Sequence, residues 1–251
     1  AIILKLCTIS YFVYIVNMKS IILLVAGAAL PSIIIIILLL RADKARPEPI
    51  GLIGRSVFYG FLASIPAVII ELFLDSFLGL YPGLLGIALK SFIIAALVEE
   101  GLKYFFLNRY LYYNPAFNEV MDGIVYAACV SLGFAFAENL LYGMDGGWVL
   151  LMRAFTAVPM HAAATGIMGF WLGLSKTMQE PVQANAAKRK GFYYALVIHG
   201  AYDFFLFMGS TFALGALVVL FLATRSLRAL VKRAKAIDDR NFAIRDALNS
   251  L

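Results

Sequence analysis

Apolar side chains follow one another along this chain in blocks of about twenty, the length that carries an α-helix across roughly 30 Å of hydrocarbon. Ile21 to Leu40 is the plainest case. Seven such stretches are expected to be membrane helices, at roughly 20–40, 52–74, 84–107, 123–142, 149–174, 191–208 and 211–230. Breaker residues separate them: Arg46-Pro47-Glu48-Pro49, Tyr81-Pro82-Gly83, Asn114-Pro115 and Gly143 to Gly147. Continuous apolar runs are not the short alternating segments of a β-barrel. The expected fold is therefore all-α, a polytopic bundle of about seven membrane helices around a polar intramembrane site.

Composition agrees with that pattern. Hydrophobic residues make up 63% of the 251 and charged residues 14%, against about half and a quarter in soluble domains. One membrane domain is expected over 18–230, followed by a cytoplasmic tail at 231–251 that reads as a solvated or membrane-surface amphipathic helix. Residues 1–17 read as an N-terminal extension that need not be native, because Met18-Lys19-Ser20 before an apolar run looks like a translation start.

Charge orients the bundle. The net charge is +6, and the basic residues fall in alternate loops: Arg41, Lys44, Arg46 and Arg55, then Arg109, then Lys176, Lys188, Arg189 and Lys190. The intervening loops at 75–83, 143–148 and 209–210 hold no Lys or Arg. By the positive-inside rule the basic loops and the C-terminus are cytoplasmic. Anionic lipid headgroups, not nucleic acid, explain that placement. Cys7 and Cys129 sit far apart in apolar stretches and read as small packing residues.

Ionisable groups inside apolar runs carry the functional signal, since each costs at least about 2.5 kcal/mol at the bilayer centre. The third stretch holds Glu99, Glu100 and Lys103, and the fourth ends on Glu138-Asn139. The fifth holds Arg153 and His161, and the sixth His199 and Asp203. Helical spacing lets Lys103 reach either glutamate and puts His199 and Asp203 on one face. Glu99 and His199 are expected about 12 Å from the cytoplasmic ends of their helices, with His161, Asp203 and Glu138 deeper. Glu71 and Lys90 read as peripheral, engaged in local pairing or snorkelling near the outer face.

Adjacent carboxylates in a low dielectric suit water activation: one serves as general base and later returns the proton to the leaving amine. A histidine can orient the water, and another His or an Asn can stabilise the oxyanion. The chain has no Gly-x-Ser-x-Gly, no His-Glu-x-x-His and no Gly-rich phosphate loop. Ser131 belongs to an Ala127, Ser131, Ala135 ladder of close helix packing. Gly169 and Gly173 form a small-x-x-x-small pair that serves a contact within the monomer or a dimer equally well.

On these residues the sequence resembles the PrsW-type intramembrane proteases, in a superfamily with CAAX prenyl endopeptidases and the anterior-pharynx-defective subunit of gamma-secretase. Glu99-Glu100-Gly-Leu-Lys103 matches the Glu-Glu-x-x-Lys motif, Phe134-Ala-Phe-Ala-Glu138-Asn139 the second, and His161 and His199 the later histidine motifs. Asp43 to Pro49 is similar to the family's first loop. The resemblance implies an intramembrane endopeptidase acting on a membrane-anchored protein such as an anti-sigma factor. Its site would comprise Glu99, Glu100, His161, His199 and Glu138, supported by Lys103, Asn139 and Asp203. The CAAX enzymes have His and Asn where this chain has Glu138 and Asp203, which argues against prenyl-protein processing and leaves Asn139 as one oxyanion candidate.

Two alternatives stay open. No cofactor is required by the glutamate reading, but zinc held by His161, His199, Glu138 and Glu99 would make a metalloprotease. A non-catalytic scaffold or a transporter would use the polar cavity differently.

Overall fold

Hydrocarbon offers backbone amides no partner, so an apolar run satisfies them within its own segment and folds as a helix. A computed structural model describes residues 18–249, and among them there is no strand. The expectations for Cys7 and the 1–17 extension lie outside the described residues.

Helices α1 (Met18–Ala42) and α2 (Ile50–Leu78) are followed by a helical run, α3, made of Gly83–Ala88, Leu89–Leu97, Val98–Phe106 and Leu107–Leu111 joined end to end. Then come α4 (Val120–Tyr142), α5 (Gly147–Phe155), α6 (Ala157–Ser175), α7 (Pro181–Phe207) and α8 (Ala213–Asn249). Among the described residues, five helical segments are long and apolar enough to cross a membrane: Ser20–Ala42, Ile50–Leu78, Val120–Asp145, Gly147–Ser175 and Ser210–Asn249. Helices α3 and α7, which carry Glu99, Glu100, Lys103, His199 and Asp203, are not among them.

The bundle is built around α4, which packs on α6, α2, α1 and α8. Two glycine crossings let its backbone approach so closely. A β-carbon at Gly60 of α2 would stand 1.7 Å from the carbonyl oxygen of Val130, and one at Gly169 of α6 would stand 2.1 Å from that of Gly123. Only glycine fits there. The Gly169/Gly173 pair thus serves a contact within the monomer.

The expected fifth span is divided. Pro159 has no amide hydrogen, and its ring opposes the carbonyl four residues earlier. The helix breaks at Thr156, with φ −121° and ψ −73°. Arg153 is thereby left on α5, and His161 lies near the start of α6. In α3, Leu89–Leu97 adopts the rare π-helical winding directly before the glutamate pair, a feature that gathers at functional sites. The run also continues to Leu111, so Glu99 lies about 18 Å from its end and not about 12 Å. By the same count His199 lies about 27 Å from the start of α7 at Pro181, and not about 12 Å.

Helix α8 continues unbroken through the tail region. Asp238 there is buried, and its carboxylate accepts the Val120 and Met121 amides at 2.8 and 2.9 Å. This part of the tail is packed onto the bundle, where the sequence suggested only a solvated or membrane-surface helix.

Candidate active site

Lys103 stands at the middle of the charged groups and is fully buried. An ammonium has three hydrogens and only donates. Its Nζ lies 3.0 Å from Glu99 Oε2, 2.8 Å from Glu100 Oε1 and 3.1 Å from His161 Nδ1, so all three hydrogens have acceptors. The Phe134 ring lies beneath it, its centroid 4.3 Å away.

That arrangement fixes the tautomer of His161. Nδ1 accepts from Lys103, so Nε2 carries the hydrogen and donates to Glu138 Oε2 at 2.7 Å. His199 faces carboxylates on both sides: Nδ1 is 2.9 Å from Glu100 Oε1, and Nε2 is 3.3 Å from Asp203 Oδ2. The two imidazoles meet edge to face with centroids 5.0 Å apart. Glutamates from α3, a carboxylate from α4 and histidines from α6 and α7 thus converge as the sequence suggested.

The adjacent glutamates have different surroundings. Glu100 has no exposed surface. Its Oε1 is shared by Lys103 and His199, and its Oε2 accepts the Thr165 hydroxyl at 2.9 Å. The Thr165 hydroxyl also lies 2.8 Å from Ser131 Oγ, and Ser131 donates to the His161 carbonyl. Glu99 instead opens on a cavity of about 420 Å³, with Glu71, Glu138, Arg153, His161, His199 and Asp203 also on its wall.

The structure adds to the sequence reading around Glu71, Arg153 and Thr165. Glu71, read as peripheral, lines this cavity and a smaller apolar extension between α2 and α4. Lys90 pairs locally with Asp75 at 3.2 Å, and both of them also line this cavity. Arg153, given no role, bonds Glu138 at 3.1 Å and Asn139 Oδ1 at 2.7 Å. Asn139 donates its amide to the Ala28 carbonyl at 3.3 Å and is fully buried, off the cavity wall. Thr165 escaped notice although it lies one turn beyond His161 on the same helix face, a spacing that could have found it.

The donors also bear on a metal. One donor atom from each of Glu99, Glu100, His161 and His199 lies within 4.8 Å of the others. Two imidazoles with carboxylate suit zinc, so the donor chemistry fits. The Lys103 ammonium, however, is bonded to three of those four side chains. An ion at that centre would require Lys103 to withdraw.

The sequence profile of the PrsW family intramembrane metalloproteases matches residues 48–227. Protease PrsW of Bacillus subtilis (strain 168) is 36% identical over 189 residues, covering 72% of this chain and 81% of that protein. Protease PrsW of Oceanobacillus iheyensis is 35% identical over 193 residues, 76% of this chain and 86% of its own. Protease PrsW of Geobacillus kaustophilus (strain HTA426) is 31% identical over 191 residues, 73% and 79% respectively. No solved structure matches the chain. An apolar helical bundle of this kind, with a profile and relatives that agree over most of its length, belongs to the PrsW family and is an integral-membrane protease.

Proposed function

We propose that this protein is a glutamate-type intramembrane endopeptidase in which Glu99 is the general base and Glu100 is a positioning residue. One observation carries the reading: of the adjacent pair, only Glu99 faces the cavity, while Glu100 is sealed with both oxygens engaged.

Water in the cavity gives a proton to Glu99 and attacks the scissile carbonyl, and Glu99 then returns the proton to the leaving amine. His199 lines the cavity with Nε2 3.9 Å from Glu99 Oε2, and by turning that N–H away from Asp203 it would donate to the developing oxyanion. Asp203 sets the orientation of that imidazole. Glu138 holds His161, and Arg153 holds Glu138. Lys103 keeps the two glutamates together despite their like charge.

Seven membrane-crossing segments, α3 and α7 included, put this polar site inside the bilayer with the C-terminus cytoplasmic, as the alternation of basic loops supports. The substrate is a single-span membrane-anchored protein; an anti-sigma factor is the candidate that the resemblance offers. A survey of new N-termini in membranes from cells expressing wild type or Glu99→Gln tests this. Fragments of one single-span protein present only with wild type are expected. Identical N-termini from equal amounts of the two folded proteins, under membrane stress, would overturn the reading.

The donor set favours a second reading, in which His161, His199, Glu99 and Glu100 hold zinc in the place of the Lys103 ammonium. Bound zinc would acidify a water and polarise the carbonyl. Cleavage that a chelator abolishes and zinc alone restores would assign the ion; chelator-resistant cleavage would remove it.

A further inference from the structure

A second group of carboxylates gathers at the start of α4, about 24 Å along that helix from Glu138. Asp43 follows α1, Glu48 lies in the connection to α2, Glu119 and Asp122 begin α4, and Asp238 comes from α8. Part of this group has evident structural work. Asp238 accepts two α4 amides, and Glu119 pairs with Arg46 at 2.7 Å. Asp122 Oδ2 accepts the Asn118 and Glu119 amides, both at 2.7 Å.

The remaining oxygens are harder to account for. Asp43 Oδ2 and Asp122 Oδ1 are the two buried side-chain polar atoms, among the described residues, that have no hydrogen-bond partner. Asp43 is 6% exposed and Asp122 1%. The Tyr126 hydroxyl holds Glu48 beside them, and one oxygen from each of Asp43, Glu48 and Asp122 lies within 4.8 Å of the others. The guanidinium of Arg46 is bonded to Glu119 and Asp239. Burial first, then the charges of Asp122 and Glu119, raise Asp43 to about 7 against the opposing pull of Lys235 and Arg46. Burial first, and then the neighbouring carboxylates of Asp122, Asp43 and Glu119, hold Glu48 well above the ordinary carboxyl range. Such a group has two ways of becoming neutral: shared protons or a bound cation.

We propose that Asp43, Glu48 and Asp122 bind one hard divalent cation, Mg²⁺ or Ca²⁺, which clasps the α1–α2 connection to the start of α4. An all-oxygen donor set with no imidazole or thiolate selects that class of ion over zinc. The ion would meet the two carboxylate oxygens that lack a hydrogen-bond partner. It would tie together segments from α1, the connection and α4, independently of the chemistry at Glu99.

The test uses the full chain in detergent, stripped with EDTA, dialysed and loaded with Mn²⁺ as a paramagnetic probe. Wild type should bind one Mn²⁺ per chain that Mg²⁺ or Ca²⁺ displaces, and the more effective competitor identifies the natural ion. The same ion should raise the melting temperature by several degrees in a saturable way. Asp43→Asn and Glu48→Gln should each weaken Mn²⁺ binding at least about tenfold and lose the thermal shift. Wild type without displaceable Mn²⁺ would overturn the proposal and leave protons as the occupants, whatever the variants do. Undiminished Mn²⁺ binding in Asp43→Asn, or a response to zinc alone, would also overturn it by assigning the ion to the histidine cluster.

Discussion

Two carboxylate clusters lie toward opposite ends of α4, and they differ in what neutralises them. Around Glu138 the acids face Lys103, Arg153 and two imidazoles, and Glu99 and Glu100 share all three hydrogens of one ammonium except the one given to His161. Around Asp122 the acids face mainly one another and the amides of a helix start, and two oxygens are left over. A buried charge with its partners present gives a fixed geometry. A buried charge without them is an unfinished site. Removing charge should therefore act with opposite sign at the two ends.

The largest break is Lys103→Met. It keeps the shape and leaves two buried glutamates without their cation, so the protein should lose about 3–5 kcal/mol of stability, read as a fall in melting temperature in detergent. Glu100→Gln should follow at about 2 kcal/mol, since hydrogen bonds to charged groups are worth roughly that much; the same melting curve measures it. Thr165→Val removes one of those bonds and should cost about 1–2 kcal/mol. The smallest change is also the sharpest. Asp43→Asn, in chelator, should leave stability unchanged or raise it by up to about 1 kcal/mol, because it removes a buried charge crowded by other carboxylates and one of whose oxygens has no hydrogen-bond partner. Destabilisation there as large as that of Glu100→Gln would erase the contrast.

Much of this was legible in the sequence, for identifiable reasons. The expense of burying charge made Glu99, Glu100, Lys103, Glu138, His161, His199 and Asp203 stand out, and the structure brings them together. Apolar block length gave α1, α2 and α4 to within about four residues, but it did not give the start of α7 at Pro181 or the run of α8 to Asn249, where polar residues continue the helix. It did not give the break at Thr156, which follows from Pro159, nor the extension of α3 to Leu111 that sets the depth of Glu99. Glu71 and Arg153 were misjudged because periodicity along one helix does not say what lies across the gap from it. The acid cluster was equally hidden. Asp43 and Glu48 lie in a loop that reads as solvated, and only the folded chain brings them to Asp122. The tail looked free for the same reason, since nothing local marks Asp238 as a cap for a helix more than a hundred residues earlier.

The central claim is that Glu99 performs the chemistry and Glu100 holds the site. The most direct test is the cleavage rate of the substrate fragment identified from the N-terminal survey, measured with equal folded amounts of wild type, Glu99→Gln and Glu100→Gln. Glu99→Gln, which weakens one bond from Lys103 where Glu100 has three partners, should show the smaller thermal loss yet cleave about 10²–10⁴-fold more slowly, the usual worth of a general base. Glu100→Gln should show the larger thermal loss and keep measurable cleavage while it remains folded. A stable but inactive Glu100→Gln beside an active Glu99→Gln would contradict the account.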